Sequence, residues 1–554
     1  MSLNGSIDDS TNGRKVAVIG AGPLGLAAIK NLTEDGFDVT GYEARGYVGG
    51  LWKYSTDSSI SVAANTIFNS SKYRSAFSDF PMRGDMEDFP TGEQIWHYLD
   101  SYADHFNLKP KVRLNSRVRH VHREGNKWAV EYAKDGSPSE IDYYDKVLIS
   151  VGTFVEPHKP ALDGIDRFEG KVIHSVEFHD PEKFAGKNVL ILGTHASGID
   201  VALGLAGHTS QIYMAHRHGV IMVGRYTPDG RTFDQGQNLR MTYIFNFLMA
   251  WFPNFFSWFI NMAIKSMAKK SFIVPESWGF SNPPSMLVTP PIIADEIFPL
   301  FESGQAKPVS SVKCITGPKT IRLTDGRVLE DIDAIIYCTG YKSNVDFLEE
   351  RYDPFNRKNR DQVPRLYRNI FPLSDDAAIR NSLAFLGLAA TLFPGFVQFE
   401  LGGMAVSQTW LGNSPLPSLP EMEAYFDHYL QWRRNQLKGE SPNANFYLAF
   451  VPGHEHLEWL DRTAGCGVGD NLGGWGLGAF CGGCLSWKTW KLWWQDKELY
   501  RMCVNGLATP AIWRLFDTGK RKVWKGARQE VFRANKVANT EAKKKLEQMD
   551  KKKK

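Results

Sequence analysis

The chain has 554 residues, 43% hydrophobic and 23% charged, enough for roughly three or four domains with large apolar cores. Its formal net charge of +4 comes from the lysines of residues 536–554; the body is near neutral, so charge gives no case for nucleic-acid binding. All six cysteines follow residue 313; in so large a chain a disulfide framework is not expected, and a reducing compartment fits better.

The first fifteen residues are polar and partly acidic, with no apolar run, so no secretory signal is expected. Val16 to Ile19 reads as a short buried strand. Gly20-Ala21-Gly22-Pro23-Leu24-Gly25 follows, then a helix from Leu26 to Leu32. In such a turn Gly20 permits the tight bend, Gly22 lets backbone approach a pyrophosphate, and Gly25 lets helix pack on strand. The free N–H groups of the helix start favour phosphate. Phe37 to Tyr42 is the expected second strand, and Glu43 ends it, placed to bond ribose hydroxyls. An acid there excludes a 2′-phosphate, so FAD or NAD fits better than NADP.

Gly49-Gly50-Leu51-Trp52 suits close contact with a flat ring system, or a glycine turn with a core tryptophan. Asn69-Ser70-Ser71-Lys72 and Phe77-Ser78-Asp79-Phe80-Pro81 come next. The Asn69 amide is able to face a flavin edge, or to serve a turn. Ile95, Leu99 and Tyr102 have helical spacing. Alternating strands are expected around Val118–Val121 and Trp128–Val130, and a buried strand at Asp145–Val151. Residues 153–160 cross to a second domain.

Phe168, Gly170, His174 and Phe178 stand in the spacing F-x-G-x-x-x-H-x-x-x-F. The apolar run Val189–Leu192 then ends in Gly193-Thr194-His195-Ala196-Ser197-Gly198, a second strand, glycine turn and helix. Two nucleotide sites in one chain suggest electron transfer between two cofactors. Tyr213 to Ala215 reads as the next strand end; His216-Arg217-His218 follows with no acid.

Taken together, GAGPLG, Glu43, GGLW, NSSK with FSDFP, the Phe168–Phe178 fingerprint, the second glycine loop and Cys338-Thr339-Gly340-Tyr341 resemble the flavin-containing monooxygenases. The likeness spans about residues 14 to 535 and includes Trp513–Phe516 and Trp524–Arg528. Related Baeyer–Villiger enzymes carry Trp then Pro or Asp at the fingerprint's end; here it is Phe178-His179. The resemblance implies an α/β fold of two Rossmann-like domains for FAD and NADP, the second inserted in the first. The expected divisions are 14–167 and 330–535 for FAD, 168–225 and 290–329 for NADP, 226–289 as a helical insertion shaping substrate access, and 536–554 as a disordered tail.

The family's residues carry over as Gly20, Gly22, Pro23, Leu24, Gly25, Glu43, Gly50, Leu51, Trp52, Asn69 and Ser70 toward FAD. Toward NADPH they are His174, Gly193, Ser197, Gly198, Asp200 and Arg217, with Arg217 for the 2′-phosphate. His174 is expected to position and not to transfer protons. The second loop departs from the family's G-x-G-N-S-G: His195 replaces the middle glycine and Ala196 the asparagine. A side chain at 195 would crowd the pyrophosphate, or its imidazole would contact a phosphate.

The implied activity passes hydride from NADPH to flavin, then one O2 atom through a flavin C4a-hydroperoxide to an amine nitrogen or a sulfide sulfur, with Asn69 sheltering the peroxide. The alternatives are Baeyer–Villiger attack on a ketone, and a non-catalytic nucleotide-binding or membrane-surface protein. A flavin disulfide reductase is disfavoured, since no cysteine precedes Cys314.

Residues 243–264 are the most apolar stretch, but Pro253 and three asparagines argue against a span. They read as lid helices over the active site or as helices against a bilayer surface. A cytoplasmic protein, peripheral at a membrane such as the endoplasmic reticulum, fits this, and a homo-oligomer is compatible with it. Cys481 and Cys484 in the glycine-rich stretch 465–484 make a weak metal motif; no metal is expected.

Overall fold

The computed structural model describes residues 13–553 except 58, 135, 282, 288, 359–361, 392–394, 438–448 and 475–482. Strand β1 (Lys15–Ile19) feeds helix α1 (Pro23–Glu34) and returns as β2 (Asp38–Tyr42), followed by β3 (Val112–Arg113) and β4 (Lys146–Ile149). The chain then builds a second unit from β5 (Lys171–His174), β6 (Asn188–Leu192), α2 (Ala196–Leu205), β7 (Gln211–His216), β8 (Ala306–Ser310) and β9 (Ala334–Tyr337). It returns to add β10 (Leu383–Phe385) to the first sheet.

The sheet orders are β10-β4-β1-β2-β3 and β8-β7-β6-β9-β5, and every pairing is parallel. Val16–Ile19 and Val189–Leu192 are apolar on both faces because parallel sheets are covered on both sides. In each sheet the order reverses beside the strand that feeds the glycine turn, β1 or β6. In open parallel sheets ligands bind at such a reversal, outside the strands' carboxyl ends. The two units are joined by a short antiparallel pair, Glu156–Pro157 with Tyr341–Lys342.

Met222–Val223 pairs with Ile292–Ile293, and between them run helices α3 (Leu239–Trp251) and α4 (Pro253–Ser271). Pro253 sits in the first turn of α4, where its missing N–H costs nothing, and so it breaks the apolar stretch in two. These helices bury only part of their apolar surface. Leu239, Tyr243 and Phe256 are buried, but Trp251 and Trp258 are 67% and 59% exposed, and Phe252 and Phe255 also face outward. Among the described residues no helix is long and apolar enough to cross a membrane.

The expectation for the tail needs correction. Residues 536–553 are not disordered but continue helix α7 (Ala527–Lys553). Val531, Ala534, Ala538 and Ala542 recur at helical spacing and are buried, which leaves the lysines on the outer faces. The motif of residues 481–484 falls partly outside the described residues.

Helix α5 (Gly395–Trp410) packs along α1 and places Glu400 in a buried ion cluster. Lys30 of α1 pairs with Asp79 and lies 3.8 Å from Glu400; Arg514 meets Asp79 at 3.0 Å, and Arg521 meets Asp35 at 2.9 Å. The C-terminal segment thus locks the first nucleotide helix to the segment holding Asp79.

Candidate active site

The first cradle is built by close approach. Gly20 has φ +99°, and a Cβ on Gly25 would sit 1.8 Å from the Gly20 carbonyl oxygen, so neither accepts a side chain. Gly22 differs: its φ is −72°, and a Cβ there would meet nothing nearer than Gly50 at 3.6 Å. The fold itself does not need glycine at 22; the space suits a group from outside the chain. Gly49 and Gly50, both at positive φ, back onto this turn, with the Gly49 N–H donating to the Ala21 carbonyl at 2.9 Å. Leu51 and Trp52 complete that short turn, and Trp52 packs on Phe68. Glu43 is buried; its carboxylate accepts the N–H groups of Ala21 and Arg45 at 2.9 and 3.0 Å. It ties the glycine turn to the end of β2 and keeps lone pairs for further donors.

The second cradle repeats the first. Gly193 has φ +118°, and a Cβ on Gly198 would lie 2.2 Å from the Gly193 carbonyl oxygen. His195 takes φ −84° and ψ −171°, close to the −72° and −171° of Gly22. The departure at 195 therefore brings no backbone strain. Burial lowers the His195 pKa to about 4, so at neutral pH its ring carries no charge to offer a phosphate. Ser197 lies in the first turn of α2. Arg217 is exposed one residue beyond β7, while His216 is held by the Trp278 carbonyl at 2.8 Å.

Both helix starts fit a dinucleotide. Neither Gly22 nor His195 caps its helix with a side chain, whereas Thr91, Asn238, Ser486 and Asp496 all do so elsewhere. The first-turn N–H groups of α1 and α2 are left for phosphate oxygens.

The segment before Asn69 joins the two units. Thr66 Oγ1 donates to the Asp200 carboxylate of α2 at 2.6 Å, and Asn65 Nδ2 donates to the Asp200 carbonyl at 3.0 Å. Burial raises the Asp200 pKa to about 6. Asn69 itself is exposed and Ser70 half-buried, while Ser71 is fully buried. The Ser71 N–H donates to the carboxylate of Asp234, which lies in the insertion, at 2.9 Å. The buried Arg74 guanidinium bonds Gln237 and reaches the Asp234 carbonyl. Thr66, Asp234 and Gln237 carried no signal in the sequence, because each acts across 130 residues or more.

The fingerprint also resolves into parts. Phe168 is buried in the core of the second unit. A Cβ on Gly170 would lie 2.5 Å from the Asp333 carbonyl oxygen, and Phe178 packs on Phe184 and against Gly204. His174 is fully buried. Its Nδ1 accepts the Val176 N–H at 3.3 Å, which leaves Nε2–H to donate to the Gly340 carbonyl at 3.1 Å. Burial lowers its pKa to about 4. Both ring nitrogens are thus used inside the protein, where they pin the returning interdomain strand. Among the described residues no cluster of three or more His, Cys, Asp or Glu could hold a metal ion.

Two parallel sheets, each with a glycine turn at its switch point and an uncapped helix start, define a two-dinucleotide oxidoreductase. The chain belongs to the flavin-binding monooxygenase-like family, whose model matches residues 13–440. It is 32% identical over 533 residues to monooxygenase aurF of Gibberella zeae, covering 94% of this chain and 97% of that one. It is 28% identical over 532 residues to dimethylaniline monooxygenase [N-oxide-forming] 2 of Pan troglodytes, covering 94% and 91%. Its fold is similar to S-allyl-L-cysteine S-oxygenase from Allium sativum, with TM-score 0.60, 22% identity and coverage of 88% and 94%. Cyclohexanone monooxygenase in its rotated conformation gives 0.59, 18%, 82% and 98%. The chain is a monooxygenase that uses FAD, NADPH and O2 on a small-molecule substrate.

Proposed function

We propose that this monooxygenase transfers one oxygen atom to a soft nucleophile, an amine nitrogen or a sulfide sulfur. The observation that carries this is the direct bond between Thr66, three residues before Asn69, and Asp200 on the second nucleotide helix. It joins the segment assigned to the flavin edge to the helix assigned to NADPH. FAD and NADPH, when bound, supply oxygen activation and hydride. The chain's part is to bind, orient and exclude water. Gly20, Gly22, Pro23, Leu24 and Gly25 with α1 hold one pyrophosphate, Glu43 the adjoining ribose, and Gly50, Leu51 and Trp52 back the ring. Gly193, Ser197 and Gly198 with α2 hold the other, and Arg217 the 2′-phosphate. The Asn69 amide, fixed through Ser70 and Ser71, faces the reacting edge. No side-chain nucleophile or acid–base pair is required.

The same reading places the protein peripherally on a membrane through α3 and α4, on the cytoplasmic side of the endoplasmic reticulum. Their outward aromatic rings support this.

The test is the colour and product of the purified protein. It is expected to be yellow, to bleach with NADPH under nitrogen, and on aeration to convert an aryl sulfide and a tertiary amine in preference to a cyclic ketone. Lactone as the main product, or no bleaching after FAD is added, would overturn the assignment.

A further inference from the structure

Helix α6 (Trp487–Gln495) reads WKTWKLWWQ. Its inner face is conventional: Thr489 is buried, and Leu492 and Trp493 pack on the core that also holds Leu239 and Tyr243 of α3. Its outer face is not. Trp487, Trp490 and Trp494, at i, i+3 and i+7, form one stripe, with Trp487 and Trp494 73% and 84% exposed and Leu485 beside them. A water-facing helix surface is ordinarily polar, so three indoles in register need an occupant.

From this stripe we infer that α6 is a second membrane contact of the enzyme, seated on an anionic phospholipid surface. The argument is chemical. Lys491 lies between the indoles and Lys497 follows; Lys488 is paired with Asp470 at 2.9 Å, and the acid that ends the helix, Asp496, is paired with Arg528, so the helix itself leaves positive charge beside the stripe. Indoles favour the headgroup level of a bilayer, and lysine stems let ammonium groups reach phosphate and carboxylate headgroups. A second copy of the chain fits less well, since lysine is depleted from protein interfaces. Helix α4 shows the same design: Phe255, Trp258 and Met262 form an exposed stripe, Trp251 at the end of α3 is exposed as well, and Lys265, Lys269 and Lys270 follow. The two helices are tied to one body through the core shared by α3 and α6. The inference rests on the membrane contact proposed for α4 and adds a separate element with a preference for negative lipid.

Flotation of the full-length FAD-loaded enzyme with vesicles tests it, using phosphatidylcholine alone and mixed with phosphatidylserine. The expected result is stronger binding to the mixture. Trp487→Ser with Trp494→Ser should weaken that binding about tenfold or more, the scale of losing buried indole area, with turnover of a soluble substrate unchanged. A control pair, Phe255→Ser with Trp258→Ser, probes α4 alone. If the α6 pair binds as the parent does while the α4 pair is lost, the inference about α6 falls and the α4 contact stands. If the parent itself ignores both vesicles, both readings fall. A dimer in sedimentation that the α6 pair abolishes, without vesicle binding, assigns the stripe to a second copy and overturns the proposal.

Discussion

The Asp234 carboxylate accepts the Ser71 N–H at 2.9 Å, 163 residues apart in sequence and two residues from Asn69. Thr232 Oγ1 donates to its other oxygen at 2.8 Å, so the acid is oriented before it meets the segment. The insertion therefore also fixes the backbone two residues from Asn69. Asp234→Asn keeps the shape but weakens a charge-assisted bond by about 1 kcal/mol. Reduction of FAD by NADPH should stay within about twofold of the parent, since α1 and α2 are untouched. Product formed per NADPH should fall by about half or more, with H2O2 making up the balance. A variant with parental coupling would show that Asp234 only stabilises the fold.

In the proposed function Asn69 is the group through which that positioning acts. Asn69→Asp exchanges an amide donor for a carboxylate acceptor at an exposed position, so folding should change by less than about 0.5 kcal/mol. FAD should still be reduced, while oxygen uptake yields H2O2 in place of oxygenated product. Oxygen-electrode and peroxide assays on one preparation separate the two outcomes, and intact coupling would remove Asn69 from the site.

The second cradle makes a nucleotide prediction. Arg217 stands one residue past β7, exposed, at the end of the strand beside the glycine turn. Arg217→Gln should raise the KM for NADPH about tenfold, the scale of one charge-assisted phosphate contact, and leave that for NADH unchanged. His195→Gly should act the other way. The neutral imidazole gives a phosphate no charge, and its removal opens the helix start, so the KM for NADPH should drop several-fold. Equal shifts with both nucleotides in the Arg217 variant would break the 2′-phosphate assignment.

These residues show where sequence stops informing. Gly20 with Gly25, and Gly193 with Gly198, touch within one turn of chain, so their chemistry is written locally and both cradles were legible. The Thr66–Asp200 and Ser71–Asp234 bonds join distant segments and rest on residue types found in any loop. Glu43 was legible as an acid at a strand end, but its grip on the Ala21 and Arg45 N–H groups was not. Helix α7 was missed because its buried stripe is mostly alanine among lysines, which reads as a solvated tail.

His174 gives a pH dependence. Its pKa is about 4 in the fold, held down by burial, against about 6.5 for a free imidazole. Between those values the unfolded chain binds a proton that the folded chain does not. Stability from this site is therefore full above about pH 6.5 and lost as pH falls toward 4, by up to about 3 kcal/mol. His195 and His456, also lowered by burial, act in the same direction; Asp200, raised to about 6, opposes them. Urea unfolding at pH 5 and pH 7 should show a smaller difference for His174→Gln than for the parent. An equal difference would place the acid sensitivity elsewhere.

Thr66 tests whether the contact between the two nucleotide units matters to the reaction. Thr66→Val keeps the side-chain volume and removes the hydroxyl, so the Asp200 carboxylate loses the 2.6 Å donor that lowers its pKa against burial. Asp200 should then hold its proton to higher pH, and the flavin segment should lose about 1 kcal/mol of attachment to α2. FAD content should not change, because the first cradle is untouched. Anaerobic reduction by saturating NADPH should slow about tenfold, equal to 1.4 kcal/mol of barrier, as the donor ring spends less time aligned. Thr66→Ser, which restores the hydroxyl, should recover most of the rate; if valine and serine behave alike, the hydroxyl has no part in alignment and only bulk at position 66 counts.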